Sequence, residues 1–355
     1  LLSSWAIILS IATFTLSMSG TFLVRSGILN SVHTFANDPE RGLYILIFLF
    51  CLIFLSLFIF FFFFKFEKKK KNLFWLSKET AILINNWFMM YFLSVVLIGT
   101  IYPIFLEVFS SEKISIGPPF YNKLIIPFLV PFLLAMAIGP KLKWIKSNFE
   151  NKKHLILFFI ISLLLSILII RNLDISFLLN TVLVTSAFYL FFITSRDFFV
   201  KGFKRLSQNI AHFGFSLLIL SILFNNIFST EVISNLKLGE TLENENFKIK
   251  FENIKEINEY NYKSIKGKFT VQDLNGSNEI MYPELRIYNQ PNIVTSEADI
   301  KTNLLTDKFM TMNYIQNQDY FNIRYQVKPF MLWIWLSVLL ICFGGLISFI
   351  KKYEG

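Results

Sequence analysis

The stretch from Leu43 to Phe64 reads LYILIFLFCLIFLSLFIFFFFF and contains no charged residue. A helix needs about 20 apolar residues to cross a bilayer core about 30 Å thick, so these 22 residues predict a transmembrane helix. Seven further segments have the same character, although the fifth and sixth of the series are short and an interfacial or strongly packed position stays open for them. The eight predicted spans are Leu1–Val24, Leu43–Phe64, Thr80–Phe105, Leu124–Ile145, Leu155–Ile170, Phe177–Thr194, Asn209–Phe228 and Pro329–Ile350.

The composition agrees with a protein that lies mostly in lipid. Of 355 residues, 54% are hydrophobic and 16% are charged, and the mean hydropathy is +0.54, which excludes a typical water-soluble globular protein. Cys51 and Cys342 both lie in apolar runs, so the sequence offers no disulfide framework and no CxxC metal site. With three His in total, sites that need several imidazoles are excluded as well.

The net charge of +10 is distributed in a way that indicates membrane topology and argues against nucleic acid as a partner. The block from Ser229 to Lys328 has 12 basic and 14 acidic residues, so the positive excess belongs to the membrane part. When the short loops are divided into two alternating sets, one set contains 17 Lys and Arg residues and the other contains five. By the positive-inside rule, both termini are cytoplasmic, in a bacterial inner membrane or its mitochondrial equivalent.

The sequence pattern of residues 229–328 differs from that of the apolar spans. Apolar and polar residues alternate in Phe247–Phe251 and in Phe321–Tyr325, and Asn275-Gly276 is typical of a tight turn. We therefore expect an α-helical polytopic membrane protein with about eight transmembrane helices and one small, outward-facing β domain before the last helix. The predicted domains are a bundle of about seven spans at 1–228, a periplasmic β domain at 229–328, and the final helix with a cytoplasmic tail at 329–355.

The loop between the first two spans contains one imidazole, His33, with Arg25 and Arg41 at the two membrane junctions. Imidazole is a common axial ligand of heme iron, and guanidinium groups can hold the two propionates of a heme. For a single loop His, a solvated or capping role is the more common one. Interfacial snorkelling is about as plausible for the two arginines as propionate binding.

His212 lies three residues inside an apolar span, where an ionisable side chain costs a few kcal/mol unless it is partnered. Gly214 removes a side chain nearby and would let a porphyrin or another helix approach. Heme ligation and a hydrogen bond to a neighbouring helix are both consistent with this pattern.

His154 follows two lysines at the start of the fifth span, which favours a snorkelling position for its side chain. A role as a second ligand on the inner side stays open. The topology separates His33 from His212, so two sites are expected, each with one ligand in this chain.

Motifs spread along the chain then identify a family. The sequence resembles the C-terminal part of CcmF, the heme lyase subunit of the cytochrome c maturation system. The residues that carry the resemblance, in the order of the family, are GTFLVRSGILNSVHTFANDPERG (Gly20–Gly42), GTIYP (Gly99–Pro103), IGPPFYN (Ile116–Asn122), AHFG (Ala211–Gly214), MYPELRIYNQP (Met281–Pro291) and KPFMLWIW (Lys328–Trp335).

The resemblance implies a specific assignment of the site residues. His33 matches one of two outer-face histidines that ligate substrate heme delivered by a heme chaperone, and it would be the catalytic position. His212 matches one of two transmembrane ligands of a stably bound heme b, which is thought to reduce the iron of the incoming heme. The family joins heme to the CxxCH motif of apocytochrome c by two thioether bonds on the outer side of the membrane. Further partners would be other maturation subunits and membrane lipid.

The departures from the family limit what this chain can do alone. The tryptophan-rich WWD segment and the two other histidines are not in it, so they are expected in a missing N-terminal half, and this chain alone is expected to be inactive as a lyase. Leu285 stands where the family usually has Lys, which leaves Arg286 as the better candidate for a structural or docking charge. Two alternatives stay open: a transporter or permease subunit, and a non-catalytic scaffold of the same assembly.

Overall fold

In the computed structural model, the structure describes residues 2–25, 39–64, 74–110, 114–147, 153–173, 175–201, 205–244, 247–273, 276–315 and 319–353. Within these ranges, eight helices are long and apolar enough to cross a membrane. The helices are α1 (Leu2–Arg25), α2 (Pro39–Phe63), α3 (Lys78–Ser110), α4 (Pro118–Ile138), α5 (Lys153–Ile170), α6 (Phe177–Lys201), α7 (Leu206–Phe228) and α8 (Met331–Tyr353). The chain divides into two compact units, Leu1–Ser186 and Ala187–Gly355.

Several predicted span bounds differ from the structure, most of all those of the fourth and sixth spans. The fourth span was expected to reach Ile145, but α4 ends at Ile138 and a single 3₁₀ turn, Gly139–Lys141, follows it. Pro140 has no backbone N–H to donate to the preceding turn and its ring crowds that turn, which explains the early end. The sixth span was expected to be short, but α6 has 25 residues and continues through Arg196 and Asp197, whose side chains are 4.0 Å apart.

In the first unit, α3 packs against α4 where two of the family-like motifs meet. Gly99 allows the approach, because a Cβ at this position would lie 2.7 Å from the hydroxyl oxygen of Tyr121. Tyr91 lies about two turns before Gly99 in α3, and Leu124 lies about one turn after Tyr121 in α4. The hydroxyl of Tyr91 donates a hydrogen bond of 2.9 Å to the carbonyl of Leu124. The motifs GTIYP and IGPPFYN are therefore explained, at least in part, by helix packing.

In the second unit, a sandwich of two antiparallel sheets is inserted between α7 and α8. One sheet has the strand order β1-β10-β9-β8, and the other has the order β2-β3-β4-β6-β7 with β5 paired to β4. The strands are β1 (Thr230–Leu236), β2 (Thr241–Asn244), β3 (Phe247–Asn258), β4 (Tyr262–Asp273), β5 (Asn278–Met281), β6 (Glu284–Tyr288), β7 (Val294–Glu297), β8 (Asp299–Thr302), β9 (Thr306–Tyr314) and β10 (Phe321–Pro329).

The sandwich core follows the alternation seen in the sequence. Phe247, Ile249 and Phe251 of β3 are buried, while the two lysines between them are exposed. The ring of Phe251 stacks on Phe269 of β4 with the centroids 4.3 Å apart. Successive side chains of a strand point to opposite faces, so this pattern fixes the register of β3 against the core.

One end of the sandwich contains a half-buried charge cluster. Lys308 of β9 lies 2.9 Å from a carboxylate oxygen of Asp273 and 2.8 Å from one of Glu279. Burial alone would lower the pKa of Lys308, but the hydrogen bonds to Glu279 and Asp273 outweigh burial and hold this pKa above its usual value. Burial also raises the pKa of the nearby Tyr325 to about 12.

Three contacts fasten the sandwich to the helices that flank it. The side-chain amide of Asn225 in α7 donates a hydrogen bond of 2.6 Å to the carbonyl of Pro329, and the indole N–H of Trp333 in α8 donates one of 2.9 Å to the carbonyl of Leu304. Phe330 connects β10 to α8 in a left-handed conformation with φ 62°, and its ring lies 5.4 Å from that of Phe224. The base of the sandwich is therefore held to both helices.

The phenol of Tyr325 predicts a specific loss of stability in alkali. Because its pKa is raised to about 12 in the folded chain and is about 10 when unfolded, the unfolded state loses the proton first, and stability falls as the pH rises from about 10 to 12. Tyr325→Phe should show a smaller fall in the thermal unfolding midpoint of the detergent-solubilised chain between pH 8 and pH 11. The exposed Tyr260 provides the control, since Tyr260→Phe should retain the full fall. An unchanged fall in Tyr325→Phe would show that this phenol does not titrate as described.

Candidate functional site

The helix that carries His212 makes different contacts on two of its sides, both within the second unit. Towards α8, a Cβ at Gly344 would lie 2.8 Å from the backbone nitrogen of Ala211, and a Cβ at Gly214 would lie 3.0 Å from the carbonyl oxygen of Ser337. Glycine at both positions therefore brings the backbones of α7 and α8 together, as small residues do in membrane helix pairs.

The side of α7 that faces α6 has polar and aromatic contacts. The hydroxyl groups of Thr194 and Ser216 are buried and lie 2.6 Å apart, which satisfies both groups inside the apolar unit. The ring of Phe213 lies 5.7 Å from that of Phe191 and 5.5 Å from that of Phe198. These contacts fix the rotation of α7 about its own axis.

His212 lies between these two sides. Neighbouring residues on a helix are about 100° apart, so an imidazole between Ala211, which contacts α8, and Phe213, which contacts α6, projects from a third side of α7. Gln208, Phe215 and Ile219 lie on this side at the i−4, i+3 and i+7 positions. All four side chains are half-buried.

This third side fits one axial ligand of a heme. It presents one imidazole with apolar neighbours one and two turns away, and an apolar surface is what a porphyrin needs beside its ligand. No group of three or more His, Cys, Asp or Glu that could hold a metal ion occurs in the part of the chain that the structure describes. His154 lies half-buried in the first turn of α5, in the other compact unit.

The predicted outer site is described only at its edges. His33 lies outside the described residues, together with the rest of 26–38. Arg25 is the last residue of α1 and Arg41 is in the first turn of α2, and both are exposed. Because α1 and α2 are consecutive candidate spans that pack against each other, we infer that they cross the membrane in opposite directions, which puts these arginines at the same end of the pair. A cation at a helix C-terminus is also favourable in itself, which gives Arg25 a structural role as well.

Comparisons with known proteins agree with this architecture. Residues 227–329 match the family model described as the CcmF C-terminal beta-sandwich. The chain is 32% identical to the cytochrome c-type biogenesis protein CcmF of Pseudomonas fluorescens, over 98% of this chain and 55% of that protein. It is 30% identical to the Escherichia coli (strain K12) protein of the same name, over 97% of this chain and 55% of that one. The resemblance to the C-terminal part of the CcmF family is confirmed.

A solved structure of a CcmF protein, described as a cytochrome c heme lyase, confirms the fold class. It superimposes with a TM-score of 0.72 over 97% of this chain and 54% of the other, at 19% sequence identity. The predicted polytopic membrane protein with a β domain before the last helix is therefore correct. The chain spans about half the length of the curated CcmF relatives that it matches.

The residues that set the position of His212 were not predicted from the sequence. Gly344 and the Thr194–Ser216 pair were not singled out, although the spacing of Ser207, Ala211 and Gly214 is of the small-residue type that indicates close helix contact. Arg286 is now explained structurally: its guanidinium lies 3.0 Å from a carboxylate oxygen of Glu284 and over the ring of Tyr262. Leu285 between them is a core residue.

The contact between α7 and α8 predicts opposite effects of alanine at two adjacent glycines. Gly344→Ala places a methyl group against the backbone of α7, so the helices must separate, at a cost of about 1 to 3 kcal/mol. Gly345→Ala meets no atom within 4 Å and should be neutral or slightly stabilising, because alanine favours a helix. Thermal unfolding in one detergent tests both variants. Equal midpoints for the two would contradict the close contact at Gly344.

Proposed function

We propose that this chain is the heme-handling C-terminal part of a cytochrome c heme lyase, which attaches heme covalently to the CxxCH motif of apocytochrome c. The observation that carries the proposal is that His212 of the AHFG motif lies half-buried within α7, between Ala211, which packs against α8, and Phe213, which packs against α6. Similarity over nearly the whole chain to proteins named for cytochrome c biogenesis supports it. Because the chain spans about half of those relatives, the complete activity requires a further part that carries the WWD segment.

His212 would hold the inner heme as one of two axial ligands, and the second would come from the missing N-terminal half. When bound, a heme b at this position supplies a one-electron store within the membrane. The contribution of this chain is to fix the direction of the imidazole through the contacts of α7 with α6 and α8. Phe215 and Ile219 would exclude water on the same side, and exclusion of water strengthens electrostatic effects on the iron.

The outer site would be built around the loop that joins α1 and α2. His33 would ligate the iron of the substrate heme, and Arg25 and Arg41 would contact its propionates. Guanidinium groups suit carboxylates because they donate paired hydrogen bonds. The role of this chain would be to position the substrate, since holding two reactants in register makes their reaction effectively intramolecular. The bond-forming step adds a cysteine S–H across a vinyl group of the substrate, so no leaving group is required.

The inserted sandwich would be a docking module and not a catalytic centre. Its attachment to both α7 and α8 would present a fixed surface to a heme chaperone, to apocytochrome c or to other maturation subunits. On the distribution of Lys and Arg, this module and the outer loop face the periplasm or its mitochondrial counterpart, and both termini are cytoplasmic.

Absorption spectra test the inner site and separate the proposal from its alternatives. The chain assembled with its upstream part should show a reduced b-type spectrum that is lost in His212→Ala, because an axial ligand is removed. Gln208→Ala, one turn away on the same side of α7, should retain it. Thermal unfolding should show that both variants are folded.

Two results would contradict the inner site. A full b-type spectrum in folded His212→Ala would exclude this residue as the ligand. A colourless assembly from heme-replete cells would favour a transporter or a non-catalytic scaffold.

Covalent heme on a reporter cytochrome c tests the outer site independently. His33→Ala should abolish maturation while the b-type spectrum remains, since the two imidazoles would serve different hemes. Thr34→Ala, at the next position of the same loop, should retain most of the maturation. Normal maturation in His33→Ala would remove His33 from the mechanism.

A further inference from the structure

A second feature lies in the first unit, where the chain that follows α4 is fastened to the chain that precedes α3. The backbone N–H of Lys78 donates a hydrogen bond of 2.9 Å to the carbonyl of Lys143, and the N–H of Ser147 donates one of 2.8 Å to the carbonyl of Leu76. The hydroxyl of Ser147 also accepts a hydrogen bond from the N–H of Lys143. We call residues 74–80 and 139–147 together the α3–α4 clamp.

The clamp holds an isoleucine in a conformation that β-branched residues rarely adopt. Ile145 has φ 71°, and the carboxylate of Glu79 accepts a hydrogen bond from its backbone N–H at 3.0 Å. Such a conformation persists only where the surrounding contacts enforce it, and it is found preferentially at functional sites. In this conformation the side chain of Ile145 is 65% exposed.

Large apolar side chains are exposed around this isoleucine. Trp75 is 88% exposed and Trp144 is 54% exposed, and Phe74 and Leu76 are exposed as well. Since α3 begins at Lys78 and α4 ends at Ile138, the clamp lies where two spans leave the membrane on the same side. Tryptophan is enriched at that depth because its ring is apolar and its N–H is polar.

The clamp is also strongly basic. It contains Lys78, Lys141, Lys143 and Lys146 against a single acidic residue, Glu79, whose carboxylate is turned to the backbone of Ile145. Two of the ammonium groups lie over exposed aromatic rings: that of Lys78 is 4.9 Å from the centre of the Trp144 ring, and that of Lys146 is 5.6 Å from the centre of the Phe74 ring. These contacts hold the two charges beside the rings that would enter the interface.

We propose that the α3–α4 clamp is a binding surface for the headgroups of anionic phospholipids. The lysines would bind the phosphate groups, while Trp75, Trp144 and Ile145 enter the boundary between headgroups and acyl chains. Charge complementarity and the position at the ends of two spans identify the lipid as the occupant. The same side of the membrane is the one with the excess of Lys and Arg, where a negative surface potential attracts basic segments.

Native mass spectrometry of the full chain tests this binding surface. The chain would be reconstituted in nanodiscs that contain equal parts of phosphatidylglycerol and phosphatidylcholine with identical acyl chains, and the bound lipids would be identified after release. The unsubstituted chain should retain phosphatidylglycerol preferentially. In Lys143→Gln with Lys146→Gln the preference should fall about fivefold for each lysine, about 25-fold for the pair, because both charges lie at the lipid surface.

The matched control removes the same charge from the sandwich. Lys250 and Lys255 are exposed on β3, so Lys250→Gln with Lys255→Gln should retain the full preference. Both double variants replace exposed side chains only, and equal thermal midpoints would confirm that they are folded. The proposal is overturned if the unsubstituted chain shows no preference for phosphatidylglycerol, or if the two double variants lose it equally.

Discussion

The close approach of α7 and α8 is the constraint on which the second unit depends. Gly344 brings its backbone against Ala211, so this position cannot hold a larger side chain without moving a helix, and Gly214 lies in tight contact with Ser337. Water cannot satisfy backbone polar groups inside a bilayer, and helices that meet there gain stability from close packing and from hydrogen bonds between small polar side chains. The Thr194–Ser216 hydroxyl pair provides such a contact on the opposite side of α7.

This constraint explains the placement of both the sandwich and His212. The sandwich leaves the membrane after α7 and returns at α8, so the contact between the two helices also positions its base, where Asn225 and Trp333 donate hydrogen bonds to the backbone of Pro329 and Leu304. Along α7, Ala211 packs against α8 and Phe213 packs against α6, and His212 lies between them. A single helix therefore connects the sandwich with the imidazole of His212.

The sequence was sufficient for the elements and insufficient for their contacts. Uninterrupted apolar runs predicted all eight helices, because their length is set by the bilayer, and the alternation in Phe247–Phe251 predicted a strand that buries one face. The predicted end of the fourth span was wrong because Pro140 interrupts the helix, so Trp144 and Ile145 lie outside it. Contacts such as that of Gly344 with α7, or of Glu79 with Ile145, join residues distant in sequence and depend on how helices rotate, which periodicity does not specify.

The candidate site residues were proposed from two kinds of sequence evidence of unequal strength. An ionisable residue within a span made His212 a candidate, and the family resemblance supplied its role; the structure adds the side of α7 from which it projects. The roles of His33 and His212 as heme ligands both stay predictions. Cryo-electron microscopy of the chain assembled with its upstream part tests the central claim most directly. The account predicts planar density in contact with the imidazole of His212, on the side of α7 that also carries Gln208 and Phe215. Side chains of the upstream part packed directly against that imidazole, with no space for a porphyrin, would contradict it.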